Sequence, residues 1–366
     1  MLDRAQINSL TAIARHILYQ EHTPLPAAEP AMMRQLFYLH GMESMIDCCE
    51  DPTLAPFRKP ENAFGHLLYH RSLEQTLLLL FAEMHSRGIK AAVLKGKVIN
   101  ECYPANVVRT SGDIDLFVPG RQREAFSRMM EELQIPMDRD MDHGQCGVDT
   151  YATSAGVMIE AHYLYFQRLS ARQRKYLRAQ GCFSEEAIVP SADGRYDTLR
   201  PDLHLLYLIY HAGKHLMVHT VTLHMLMDLT AFINRYAPEI DAAAFRRMIR
   251  KLRFTRICNA LLCFCMKYLG MRRDFWKKTG CSMEPFLRLM FNAGQETYWE
   301  QYISRMPGDW KFYPNICIER DGEFFHQYQW LPKRIFKNKY TFSTFVGWAA
   351  MRLLWHYEVD FSGEVA

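Results

Sequence analysis

RTSGDIDLFVP, residues 109–119, places two carboxylates, Asp113 and Asp115, inside what otherwise reads as a buried β-strand. Ile114, Leu116, Phe117 and Val118 are apolar, with Ser-Gly before the run and Pro-Gly after it, the punctuation of a core strand. Alternate residues of a strand share a face, so Asp113 and Asp115 project together while Ile114 turns the other way. Adjacent carboxylates raise each other's pKa and resist joint ionisation. A hard divalent cation with oxygen ligands removes that penalty. On this reading Asp113→Asn and Asp115→Asn each relieve repulsion in the metal-free protein and leave its stability unchanged or raised.

Outward from this strand, the pattern is α/β. Upstream, ENAFGHLLYHRSLEQTLLLLFAEMHSRGI has helical apolar spacing that ends at Gly88, and IKAAVLKG follows as a short strand closed by glycine. Residues 97–103 read as one or two helical turns. Downstream, RQREAFSRMMEELQ is an amphipathic helix, and VDTYATS and VMIEAHYLYF flank an Ala-Gly turn as a β-hairpin. A further hairpin is expected near residues 187–199, and Pro201 is placed to open a long helical tract. The expected organisation is an N-terminal helical cap (1–60), a catalytic α/β (α+β) domain with a mixed sheet and flanking helices (61–200), and a helical C-terminal domain (201–366).

The second hairpin strand carries Glu160 and His162 on one face and Ile159 and Ala161 on the other. Two acids on one strand and a third on another make a cluster of Asp113, Asp115 and Glu160 geometrically feasible. Such a cluster suits two Mg²⁺ ions clamping the attacking oxygen and the leaving pyrophosphate of an in-line displacement at phosphorus.

Composition narrows the alternatives. At 366 residues, 49% hydrophobic and 23% charged, the chain is an ordinary globular protein with material for more than one domain. A net charge of +4 permits attraction to polyphosphates without marking a polynucleotide-binding surface. Ten cysteines without a C-x-x-C pair speak against zinc and for reduced thiols in a cytoplasmic protein. No signal peptide is expected at the start, and the longest apolar stretches fall short of the ~20 residues of a membrane span.

AVLKG followed by YP, then RTSGDIDLFV and IEAHY, in that order, resembles the uncharacterised nucleotidyltransferase family of the DNA polymerase beta-type superfamily. LLYLIYHAGKHLMVHTVTLHMLMDL is similar to that family's region after the catalytic fold, and the resemblance covers roughly residues 61–235. It implies a magnesium- or manganese-dependent transferase that moves a nucleoside monophosphate from an NTP such as ATP to an acceptor hydroxyl. Asp113 and Asp115 would be metal ligands and Glu160 the third carboxylate. Lys95 and Gly96 would occupy the superfamily's Gly-Ser or Gly-Gly loop, with Arg109 near the nucleotide phosphates. The chain departs from the pattern at Lys97, where a second small residue is usual, and Ser111-Gly112 comes only just before the acids. Ser111 joins the nucleotide-binding set, and Lys97 is either a phosphate contact or a solvated helix-start residue. Gly96 either lets the backbone approach a triphosphate or ends a strand.

His211, Lys214 and His215 share a helical face, on which Lys214 is the phosphate-binding candidate and the histidines read as packing residues. Lys214 is expected to reach the acids from the helical tract across a cleft. His219 and His224 read as structural, and Asp228 as a helix-to-loop hydrogen-bonding residue or a partner for Lys214. LPKRIFKNKY interleaves basic and aromatic residues over a length better suited to a solvated face than to nucleic acid. The acceptor, whether small molecule, sugar, protein or RNA end, is not written in the sequence. A degenerate copy of the fold that binds nucleotide or a partner without turnover is the alternative.

Overall fold

The computed structural model describes residues 4–21, 29–138, 148–166, 169, 171–217, 221–276 and 283–291. His219 and the basic-aromatic tract at 331–340 lie outside the described residues. Three helices come first: α1 (Arg4–Tyr19), α2 (Pro30–Leu39) and α3 (Glu43–Asp47). The long helix α4 (Pro60–Ser86) opens on a proline, whose missing N–H costs nothing in a first turn. It stops at Gly88, φ +67°, where Gly88 N–H donates to His85 O (3.2 Å) and Ile89 N–H to Met84 O (2.8 Å). That paired bond is the glycine stop seen in the sequence, and it turns the chain into the sheet.

The sheet strands are β1 (Ala92–Val93), β2 (Asp113–Phe117), β3 (Val148–Ala152), β4 (Met158–His162), β5 (Ile188–Pro190) and β6 (Asp197–Leu199). Their order is β3-β4-β2-β1-β6-β5, with β2–β4 and β1–β6 parallel and the other neighbours antiparallel. The short turn of helix α5 (Lys97–Asn100) separates β1 from β2, and α6 (Arg123–Glu132) and α7 (Ala171–Ala179) follow β2 and β4. The mixed α/β class, both hairpins, the helix start at Pro201 and the strand periodicity are as the sequence leads one to expect. The first strand is shorter than the apolar run IKAAVLKG, because only Ala92 and Val93 pair with β2, and of the two only Val93 also pairs with β6.

The helical tract comprises α8 (Pro201–Met217), α9 (Leu223–Tyr236), α10 (Ala242–Lys251), α11 (Thr255–Tyr268) and α12 (Glu284–Phe291). Helix α1 packs on α9 and α11, and α4 packs on β2 and α6. One continuous apolar core runs from Ile7 to Phe291. The N-terminal helices, sheet and helical tract therefore exclude water jointly, and residues of α8 and α9 line the same cavity as the acid-bearing face of β2 and β4. Among the described residues no helix is long and apolar enough to cross a membrane.

Candidate active site

Register brings the acids together. In the parallel β2–β4 pair Asp115 sits opposite Glu160, with Asp113 opposite Met158. Ile114, Leu116, Ile159 and Ala161 are buried on the opposite face, as side-chain alternation requires. Asp113, Asp115 and Glu160 open onto a cavity of about 610 Å³, within the range of small-molecule sites. Arg109, Lys214, His211 and His224 stand in its other walls, so the helical tract and the sheet close on the same space.

Asp115 is at the centre and almost wholly buried. Leu94 N–H donates to the Asp115 carbonyl (3.0 Å), which brings the next residue, Lys95, alongside. Lys95 Nζ lies 2.6 Å from Asp115 Oδ2 and 4.0 Å from Asp113 Oδ1. His162 Nε2 lies 2.9 Å from Asp115 Oδ1 and 3.2 Å from Glu160 Oε2, and with a carboxylate on each contact it must donate. The backbone below is fixed by His204, whose Nε2 bonds the Leu94 carbonyl at 2.9 Å, and burial lowers its pKa to about 4.

Charge divides the two strand acids. Burial alone would raise the Asp115 pKa, but Lys95 and His162 hold it far below the ordinary carboxylate range. Asp113 faces the Asp115 charge and partial burial, with Lys95 at the edge of ion-pair distance, and is pushed up to about 7. Burial would lower the His162 pKa, yet Asp115 and Glu160 raise it to about 9. The site thus carries much of its own neutralisation in Lys95 and His162.

Arg109 is buried and clamped. Its Nε and Nη2 donate to Asp228 Oδ1 and Oδ2 at 2.9 and 2.7 Å, and the Tyr103 hydroxyl donates to the same Oδ1 at 2.8 Å. Nη1 is buried without a hydrogen-bond partner, and the residue lines the cavity. The guanidinium is thus fixed on two nitrogens and keeps its third buried and unpaired. Asp228 is the helix-to-loop partner expected from the sequence.

The remaining expected nucleotide contacts separate. Lys214 lines the large cavity. His211 and His215 line it too, with ring centroids 4.6 Å apart, and burial keeps His211 far below its usual pKa and neutral. Gly96 and Lys97 instead line a narrow crevice that meets the cavity at Lys95, Ser111, Asp113 and Asp115. Lys97 is taken up by Glu74 (2.7 Å) and Glu101 (3.4 Å). Gly96 has φ +59°, ψ −111°, and a Cβ there would lie 3.4 Å from Ser111 Oγ. Glycine and serine from distant positions meet beside the acids, although Lys97 follows the glycine in sequence. Gly96→Ala is expected to cost about 1–3 kcal/mol of backbone strain, read from denaturant unfolding, with Gly88→Ala as a comparison distant from the site.

The donor set fits a hard divalent cation. Oxygens of Asp115 and Glu160 and a ring nitrogen of His162 lie within 4.8 Å of one another and Asp113 adjoins them, so the carboxylates supply the hard oxygen ligands, while His162 Nε2 would join only after losing the proton it donates to them. Sequence reasoning placed His162 on the Glu160 face and assigned it no part in the site. The two-residue spacing from Glu160 was the available signal.

Residues 61–270 match the model of a family described as uncharacterised nucleotidyltransferase. A crystal structure of an antigenic nucleotidyltransferase-like protein from Paracoccidioides brasiliensis aligns at 11% identity and a TM-score of 0.35, covering 56% of this chain and 97% of that one. No curated protein matches the chain.

Proposed function

The chain belongs to the uncharacterised nucleotidyltransferase family, and from that premise we propose that it transfers a nucleoside monophosphate from an NTP to an acceptor hydroxyl, releasing pyrophosphate. The observation that carries this reading is the convergence of Asp113, Asp115 and Glu160 on one cavity whose other walls hold Arg109 and Lys214. An acidic wall for cations facing a basic wall for phosphates is what phosphoryl transfer requires, since its catalysis is mostly positioning and charge neutralisation.

Asp113, Asp115 and Glu160 would hold Mg²⁺ or Mn²⁺, which would neutralise charge on the phosphates and make the acceptor hydroxyl easier to deprotonate. Arg109 Nη1, Lys214 and Lys95 bind phosphate oxygens, and Gly96 and Ser111 shape the crevice for close approach. Glu160 accepts the proton of the acceptor hydroxyl on a carboxylate oxygen. The acceptor oxygen bonds to the α-phosphorus as the bond to the bridging oxygen breaks, and the electron pair leaves with pyrophosphate.

Each NTP, α-³²P-labelled, is incubated with the protein, Mg²⁺ or Mn²⁺ and a cell extract. Label on an acceptor with pyrophosphate release is expected, and absent from the Glu160→Gln variant. A second reading, nucleotide binding without turnover, is favoured by one observation: Lys95 and His162 already occupy both oxygens of Asp115. Saturable nucleotide binding with no pyrophosphate released under any condition would decide for it.

A further inference from the structure

We propose that Lys95 is a displaceable counter-ion of the acidic site: in the resting protein its ammonium holds the place of the divalent cation, and it moves onto a nucleotide phosphate when cation and nucleotide enter together. The inference rests on the nucleotidyltransferase reading above and assigns Lys95 a second partner.

Both oxygens of Asp115 are engaged by cations of the chain, Oδ1 by His162 at 2.9 Å and Oδ2 by Lys95 at 2.6 Å. A divalent ion bound directly to a carboxylate sits at about 2.0–2.1 Å for Mg²⁺, which would set it against the Lys95 ammonium. Like charges at that separation in a buried site repel strongly, so one of the two resident cations must leave. His162 is short, lies within β4 and is also bonded to Glu160 at 3.2 Å. Lys95 has a flexible four-carbon stem, is partly exposed and lines both the large cavity and the crevice beside it, so it has somewhere to go.

Displacement strands an ammonium in a mostly buried site unless a new anion receives it. The phosphate chain of the nucleotide is that anion. Lys97 does not take over the role, because Glu74 and Glu101 hold it. The cation alone therefore binds weakly, and the nucleotide tightens it beyond what bridging contacts supply. By linkage the cation tightens the nucleotide by the same factor.

Full-length wild type and the variants Lys95→Met and Lys95→Gln are titrated with Mn²⁺ alone, free and bound ion being separated by electron paramagnetic resonance. The titration is repeated with saturating α,β-methylene-ATP. Mn²⁺ alone is expected to bind the variants about tenfold or more tighter than wild type, with a smaller tightening by the analogue, on the scale of a typical coupling free energy. Equal affinity of wild type and variants for Mn²⁺ alone overturns the displacement. Absence of Mn²⁺ binding in every protein, with and without analogue, overturns the nucleotidyltransferase reading beneath it. Wild type carrying ¹³C-dimethylated lysines supplies a measurement independent of the variants' folding. The resonance of the buried lysine is expected to shift when Mg²⁺ and analogue are added together, and an unmoved resonance overturns the proposal.

Discussion

Asp115→Asn lowers the melting temperature of the metal-free protein by on the order of 10 °C, whereas Asp113→Asn leaves it unchanged or raises it, and each variant abolishes transfer. The sequence treats the two acids alike, as repelling neighbours on one strand face. The structure separates them. Asp115 is buried between Lys95 and His162, so its loss leaves two cations without their shared partner. Removing one member of a buried pair costs about 3–5 kcal/mol. Asp113 is 30% exposed and meets mainly the negative charge of Asp115, which pushes its pKa up to about 7. A carboxyl whose folded pKa lies above its unfolded one binds more protons in the native state. It therefore costs stability progressively as pH rises toward 7, and fully above it. The advantage of Asp113→Asn in EDTA should accordingly be small at pH 5 and largest at pH 8. Melting curves of the three proteins at both pH values check the sign, and two variants that melt together at pH 8 would remove the distinction.

Local periodicity made much of this site legible. The i, i+2 spacing of Asp113 and Asp115, the alternation through Glu160 and the glycine stop at Gly88 are properties of single elements, and each appears in the fold as the residues dictate. What the sequence hides are pairings across elements. Lys95 reads as part of a phosphate loop, and only the Leu94–Asp115 backbone bond shows that it must lie against an acid. Arg109 reads as a phosphate contact, while two of its nitrogens belong to Asp228, 119 positions away. Such long-range partners depend on how α9 packs beside the strand, which no local pattern encodes.

That clamp yields a second large effect, because it lets fold and function be separated at one residue. Arg109 and Asp228 are both nearly inaccessible, at 4% and 8% side-chain exposure, and Tyr103 shares the carboxylate. Asp228→Ala strands a buried guanidinium and a buried hydroxyl, and is expected to cost about 3–5 kcal/mol in denaturant unfolding. Replacing both charges, as Arg109→Met with Asp228→Leu, removes the desolvation cost along with the attraction, and buried pairs exchanged for apolar groups of similar volume often lose little stability or none. The part of the loss that comes from the stranded guanidinium should therefore return in the double variant, while the Tyr103 hydroxyl stays without its acceptor. Nucleotide affinity should not, because Arg109 Nη1, the buried donor without a partner at the cavity wall, is gone. A charged hydrogen bond is worth about 1.5–3 kcal/mol, so Mg²⁺ and α,β-methylene-ATP should bind the double variant about tenfold or more weakly. A double variant that regains stability and binds the analogue like wild type would show that Arg109 serves only to pin the loop before β2. Lys95 and Lys214 would then carry the phosphates between them.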